Sequence, residues 1–295
     1  MFYEQTDEPS KLGVLTGVLN NANANLIKFT DHIFVGDTID GGASVWYRRP
    51  YGDDVEIPRF MTRENEVSWD WPGEVDKEKV REAEAPDFVR LWCHCKGVNL
   101  RLYRGDYADV PRDQLPDHVD PKTNKFRASF DACDSCRLQF GNDVVNWTFT
   151  ELKNLKLDDG GDFPTTAPDL KAAVQKGDPS LGSLALYESS PDVQRYFCKV
   201  CSASVFYAYD GDPNRLDIAV GLLDAPDGAR AESFLAWSYG DDPSYVEDMK
   251  GGWREDLIQR VQQEAEDFRT ARGYPKSFRR LKKESEASSA KSADV

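Results

Sequence analysis

Six cysteines fall in three close pairs: WCHC at Cys93 and Cys95, CDSC at Cys133 and Cys136, and CKVC at Cys198 and Cys201. None is left over, so whatever fold the chain adopts must bring sulfur together at these points. In a secreted chain an even count suggests disulfides. Here the opening MFYEQTDEPSK carries acid where an export signal would carry base followed by an apolar run. The expected compartment is therefore the cytosol, with the nucleus as a second, and paired cysteines at knuckle spacing in a reducing compartment hold metal more often than disulfides. Zinc is the first candidate.

Charge narrows the partners. Thirty-seven basic against 52 acidic residues leave −15, which repels nucleic acid phosphates and anionic membrane surfaces over most of the molecule. No run approaches the roughly 20 apolar residues of a membrane span. A small-molecule substrate is the expected partner, with neither nucleic acid nor membrane involved. A 40% hydrophobic content over 295 residues is enough for a sizeable core.

Along the chain, LIKFTDHIFVGD alternates well enough for a strand, and residues 51–87 are acidic with few apolar residues outside WDW, reading as a linker or surface wrap. From Phe88 the character changes. FVRLWCHC, VNLRLYRG, VVNWTFT, LALYESS, VQRYFC, SVFYAY and LDIAVGLLD are short β-branched and aromatic runs separated by Gly, Pro, Asp and Asn, which predicts a mainly β domain over 88–240. Two interruptions, 105–129 and 158–182, read as surface excursions able to lid a site. Trp253, Leu257, Val261 and Phe268 recur at helical spacing, so a C-terminal extension over 241–283 should dock an amphipathic helix on the sheet. KSFRRLKK reads as a solvated helix end more readily than as a nuclear signal, and residues 284–295 as a disordered tail.

In a strand, side chains at i and i+2 share a face, so Cys93 and Cys95 can both reach one metal while His94 points away. With Cys198 and Cys201 they would complete a closed tetrahedral Cys₄ site. A ribbon built from Cys133, Cys136, Cys198 and Cys201 is equally compatible with the spacing.

The ordered run of motifs, C-x-C, then C-x-x-C-R, then S-S-P-x-V-x-R-x-F-C-x-x-C, spans Arg90 to about Asp224. It resembles the family of glutathione-dependent formaldehyde-activating enzymes and centromere protein V. DGARAESFLAW looks like the tail of fungal members, and LIKFTDHIFVGDTIDGGAS resembles the end of a preceding copy of the domain, which would make residues 1–50 the remnant of a truncated first copy. The resemblance implies a β-tent fold, a structural zinc on Cys93, Cys95, Cys198 and Cys201, and a catalytic zinc on C-x-C-x-x-C. In this chain that last motif reads D-A-C-D-S-C, so Asp131 stands where the first sulfur would be, beside Cys133 and Cys136.

A zinc with three protein ligands and an open fourth position lowers the pKa of a substrate thiol and presents it to a carbonyl carbon such as that of formaldehyde. Arg137 suits a substrate carboxylate or, equally, a neighbouring acid. Ser189, Ser190 and Arg195 read as supports of the last knuckle. Three functions follow: a zinc-dependent carbon-sulfur lyase or thiol adduct synthase acting on a glutathione-type or small-metabolite substrate; a zinc-water hydrolase, dehydratase or isomerase; and a zinc-stabilised binding module without catalysis. On the last reading Asp131 is only a solvated turn residue.

Overall fold

The computed structural model describes residues 3–5, 12–22, 27–52, 55–72 and 86–293. Two small antiparallel hairpins come first, β1 (Tyr3–Gln5) with β2 (Leu12–Val14) and β3 (Arg59–Phe60) with β4 (Glu66–Val67). The main domain then lays down β5 (Phe88–Trp92), β6 (Asn99–Tyr103), β7 (Phe126–Asp131), β8 (Val145–Glu151) and β9 (Leu155–Leu157). It continues with β10 (Leu184–Ser190), β11 (Val193–Cys198), β12 (Ser204–Tyr209), β13 (Arg215–Ala219), β14 (Leu223–Asp224) and β15 (Leu235–Trp237). Four helices accompany them among the described residues: α1 (Asp134–Phe140), α2 (Ala167–Lys176), α3 (Trp253–Ala271) and α4 (Phe278–Ala293).

The strands form a four-stranded sheet in the order β14-β5-β6-β9 and a seven-stranded sheet in the order β10-β11-β12-β13-β8-β7-β15. Every pairing is antiparallel except β15 on β7. The mainly β expectation holds, and alternation explains the packing. Val89, Leu91, Leu100 and Leu102 of the smaller sheet share one core with Ala128, Tyr196, Phe206, Leu216 and Ile218 of the larger. The opposite face of the larger sheet carries Arg127, Asp131, Trp147, Phe149, Arg195, Tyr207 and Asp217, which line a cleft, Trp147 and Phe149 also packing with Cys136, Val145 and Ala219 in a small apolar cluster. β7 is buried on all six residues because both of its faces are covered.

Described residues of the N-terminal segment lie against this domain, Gly17 N donating to the Gly141 carbonyl and Ala229 N to the Thr38 carbonyl. Trp46 packs edge-on to Phe130 at 5.1 Å, and Arg59 lies over the rings of Trp69 and Trp71, which is where the WDW cluster finds its contacts. The strand expected in LIKFTDHIFVGD does not form among its described residues, 27–37. Phe34 takes a left-handed conformation and Val35–Thr38 continue as a 3₁₀ turn, leaving His32 a single bridge to Arg59. Residues 53–54 and 73–85 of the acidic stretch lie outside the described residues. Both expected surface excursions contain regular structure: β7 begins at Phe126, and α2 fills 167–176, capped by Thr166, whose hydroxyl accepts from Asp169 N. Residues 284–293, expected to be disordered, continue α4.

Helix α3 docks as its periodicity indicated, burying Leu257, Ile258, Val261 and Ala265. Its anchor is polar. Arg254 Nε donates to Asp143 Oδ1 at 2.8 Å and Arg254 Nη2 to the Thr16 carbonyl at 2.6 Å, while Thr16 Oγ1 donates to Asp143 Oδ2 at 2.6 Å. One buried charge pair thus ties the N-terminal segment, the β domain and the C-terminal helix together. Replacing Arg254 with Met should destabilise the protein by about 3–5 kcal/mol, because it strands the Asp143 carboxylate away from water. Urea unfolding of that variant checks this, and a loss under about 1 kcal/mol would mean the three segments are not held by this pair.

Candidate metal centres

Two sulfur clusters emerge, and the structure decides between the pairings that spacing left open. The donor atoms of Cys93, Cys95, Cys198 and Cys201 lie within 4.8 Å of one another, and those of Asp131, Cys133 and Cys136 form a second such group. All six cysteines are free thiols.

The first cluster joins the two sheets. Strand β5 ends at Trp92, so Cys93 and Cys95 sit in the turn to β6 and not within a strand as expected; a left-handed Lys96 turns both sulfurs to one side. Cys198 closes β11, and Cys201 precedes a left-handed Ser202 in the knuckle to β12. Cys95 Sγ stands 3.5 Å from Cys198 Sγ across 103 residues. The loops meet because Gly97 and Gly182 have no side chains: a Cβ on Gly182 would lie 2.1 Å from the Gly97 carbonyl. His94 is exposed and outside the cluster, as expected. Burial, with the neighbouring thiols, pushes Cys93 up to about 12. Burial opposes ionisation at Cys198 too, but hydrogen bonds from the Cys201 amide and the Ser183 hydroxyl outweigh it and bring that thiol to about 6. Four sulfurs this close repel as thiolates, and a bound cation is what allows them to share charge.

The second cluster lies where β7 runs into α1. Cys133 is the helix N-cap, its Sγ accepting from Cys136 N at 3.2 Å, and Asp131 Oδ1 accepts from Cys133 N at 3.0 Å. Asp131 is 8% exposed. Burial raises its pKa, only partly countered by the Cys133 amide and the two thiols. Cys136, hydrogen-bonded by Cys133 and buried, is pushed far up, while the bond from Cys136 draws Cys133 down. Two thiols and a carboxylate of this kind could hold a metal ion.

These residues form one end of a cleft of about 550 Å³. The C-terminal extension builds its rim: Ala132 N donates to the Ser244 carbonyl at 2.9 Å, Asp134 N to Asp248 Oδ2 at 3.0 Å, and Tyr245, left-handed and 67% exposed, stands beside them. Arg137 does not join the site. Its guanidinium is taken by Asp134 Oδ1, at 2.7 Å from Nη2, and by the Gly17 carbonyl. Arg195 takes the position near the metal group instead, with Nη1 3.8 Å from Cys136 Sγ and 2.8 Å from Gln139 Oε1, and Nε 3.0 Å from Ser189 Oγ. Ser190 turns away to Asp192. The period of β7 would have flagged Arg127 with Asp131, both on the face opposite Ala128; Asp217 and Tyr245 carried no sequence signal.

The chain matches no family model and no curated protein. Among solved structures it is similar to one titled a crystal structure of a Rhodobacter sphaeroides protein. That match has 16% identity and a TM-score of 0.28, covering 50% of this chain and 98% of the other. No helix among the described residues is long and apolar enough to cross a membrane.

Proposed function

We propose that this chain is a zinc-dependent enzyme of β-tent type that adds a thiol to a carbonyl carbon, or reverses that addition by carbon-sulfur cleavage. The observation that carries the reading is the meeting of the Asp131 carboxylate with the sulfurs of Cys133 and Cys136, within 4.8 Å, at the end of a cleft of small-molecule size. The donor set suits zinc, which accepts carboxylate oxygen beside thiolate sulfur, and three donors leave one position for a ligand from the cleft. When bound, the cation favours the thiolate form of an entering thiol and polarises a carbonyl oxygen.

The protein side chains do the rest. Arg195, fixed by Gln139 and Ser189, places positive charge beside Cys136 Sγ and so offsets the negative charge that three anionic donors would gather. Trp147 and Phe149 supply an apolar wall that strengthens these interactions. The step balances without a co-reactant. Sulfur forms a bond to the carbonyl carbon, the carbonyl π pair moves to oxygen, and the proton lost by the thiol ends on that oxygen.

The carboxylate favours a second reading. Oxygen donates less electron density than sulfur and leaves the cation a stronger Lewis acid, which suits activation of water by a hydrolase, dehydratase or isomerase. A single assay separates the two. With ¹³C-formaldehyde and glutathione as probes, NMR should show the S-hydroxymethyl adduct exchanging faster than without protein, and Asp131→Ala should return it to the uncatalysed rate. A two-metal protein that leaves this exchange unchanged would overturn the thiol reading and favour water chemistry.

A further inference from the structure

The end of the cleft away from the knuckle carries charge that the metal chemistry does not use. Arg127 and Asp131 project from the same face of β7 four residues apart, which places them roughly 13 Å from one another along the strand. Arg127 is 5% exposed, its Nε is buried without a partner, and no hydrogen bond reaches its guanidinium among the described residues. The group lies 4.2 Å over the Phe149 ring, and Arg215 lies over the same ring at 4.7 Å. Arg279, in the first turn of α4, also lines the cleft and forms no ion pair among the described residues.

None of the nearby acids forms an ion pair with Arg127 among the described residues, although Asp117, Asp212 and Asp217 share the cleft and Asp241 acts on Arg127 from beside it. Asp217 Oδ1 takes Arg215 Nε at 3.1 Å, and Asp117 faces His118 Nδ1 at 3.7 Å. Burial, then repulsion from Arg279 and Arg215, lowers the pKa of Arg127 to about 10, with Asp117 and Asp217 opposing. In a chain of net charge −15, the buried Arg127 guanidinium has no ion-paired carboxylate, and with the exposed Arg279 beside it the pair favours an anion from outside.

We propose that Arg127, Arg215 and Arg279 form an oxyanion subsite that receives a carboxylate or phosphate group at the end of the substrate remote from Asp131, Cys133 and Cys136. The inference rests on the cleft being a substrate site and adds what it selects. The guanidinium forks suit either planar carboxylate or phosphate oxygens. Helix α4 supplies one of the three cations, so the C-terminal extension takes part in specificity.

Calorimetric titration of the full chain with inorganic phosphate and, separately, with succinate tests this. Saturable binding of at least one anion is expected, weakened about tenfold by Arg279→Gln and by Arg127→Gln, as loss of one charge-assisted pair predicts. Tighter phosphate binding assigns the subsite to phosphorylated substrates, and tighter succinate binding to carboxylates. Arg279 is exposed, so its variant decides the matter if Arg127→Gln does not fold. Asp131→Ala should leave anion binding intact. Retained binding with no thiol chemistry would remove the thiol reading and keep the subsite. No saturable binding, no effect of Arg279→Gln, or loss of binding in Asp131→Ala would overturn the proposal.

Discussion

Stripping the metal from Cys93, Cys95, Cys198 and Cys201 with a strong chelator at neutral pH is expected to unfold the β domain. The cluster joins the β5–β6 turn of the smaller sheet to the β11–β12 knuckle of the larger, with Cys95 and Cys198 in contact across 103 residues. A structural zinc contributes on the order of 10 kcal/mol or more to folding, as much as the whole net stability of a typical domain. Without it, the buried sulfurs of Cys93 and Cys198 keep their neighbours but lose the charge that balances them. Cys198→Ser should have the same consequence as chelation. The dependence on pH has a clear sign, because the ligands bind as thiolates and the metal is released as falling pH protonates them. Far-ultraviolet circular dichroism and the melting temperature read the effect. A chelated protein with unchanged values would show that the two sheets hold together without the metal, and a disulfide within either pair would have the same meaning.

What the sequence revealed follows from how local each signal is. Cysteine spacing and short β-branched runs are local, so the mainly β domain and the candidate ligands could be read directly from Cys93, Cys133 and Cys198 and their neighbours. Helix α3 announced itself through Leu257 and Val261, whose burial the spacing implied. Strand β7 was hidden because its two faces serve different purposes. Phe126, Ala128 and Phe130 face apolar neighbours, whereas Arg127 and Asp131 face the cleft, and a flank rich in Asp, Pro and Lys made the whole segment look like a loop. Of the two roles open to Arg137, geometry selects the neighbouring acid: it lies on α1, one residue past Cys136, and the helix turns it toward Asp134 and Gly17. Arg195 comes to Cys136 from β11, a contact across 59 residues that no local pattern encodes.

Replacing Asp131 with Ala is expected to remove the second metal while leaving the fold in place. The side chain sits at the end of β7, outside the hydrophobic clusters, and its hydrogen bond from Cys133 N is worth about 1 kcal/mol. Two thiols alone make a poor site, whereas a third donor completes the number that a catalytic zinc takes from protein. Asp131→Cys keeps both the donor count and the formal charge, so it should retain the metal and shift preference from water toward thiols. Metal content is the most direct measure. Elemental analysis of purified protein should give two metal ions per chain in the wild type, one in Asp131→Ala and two in Asp131→Cys, all with wild-type circular dichroism. One metal per chain in the wild type, unchanged by Asp131→Ala, would contradict the account and leave Asp131 as a turn residue beside a site that holds nothing.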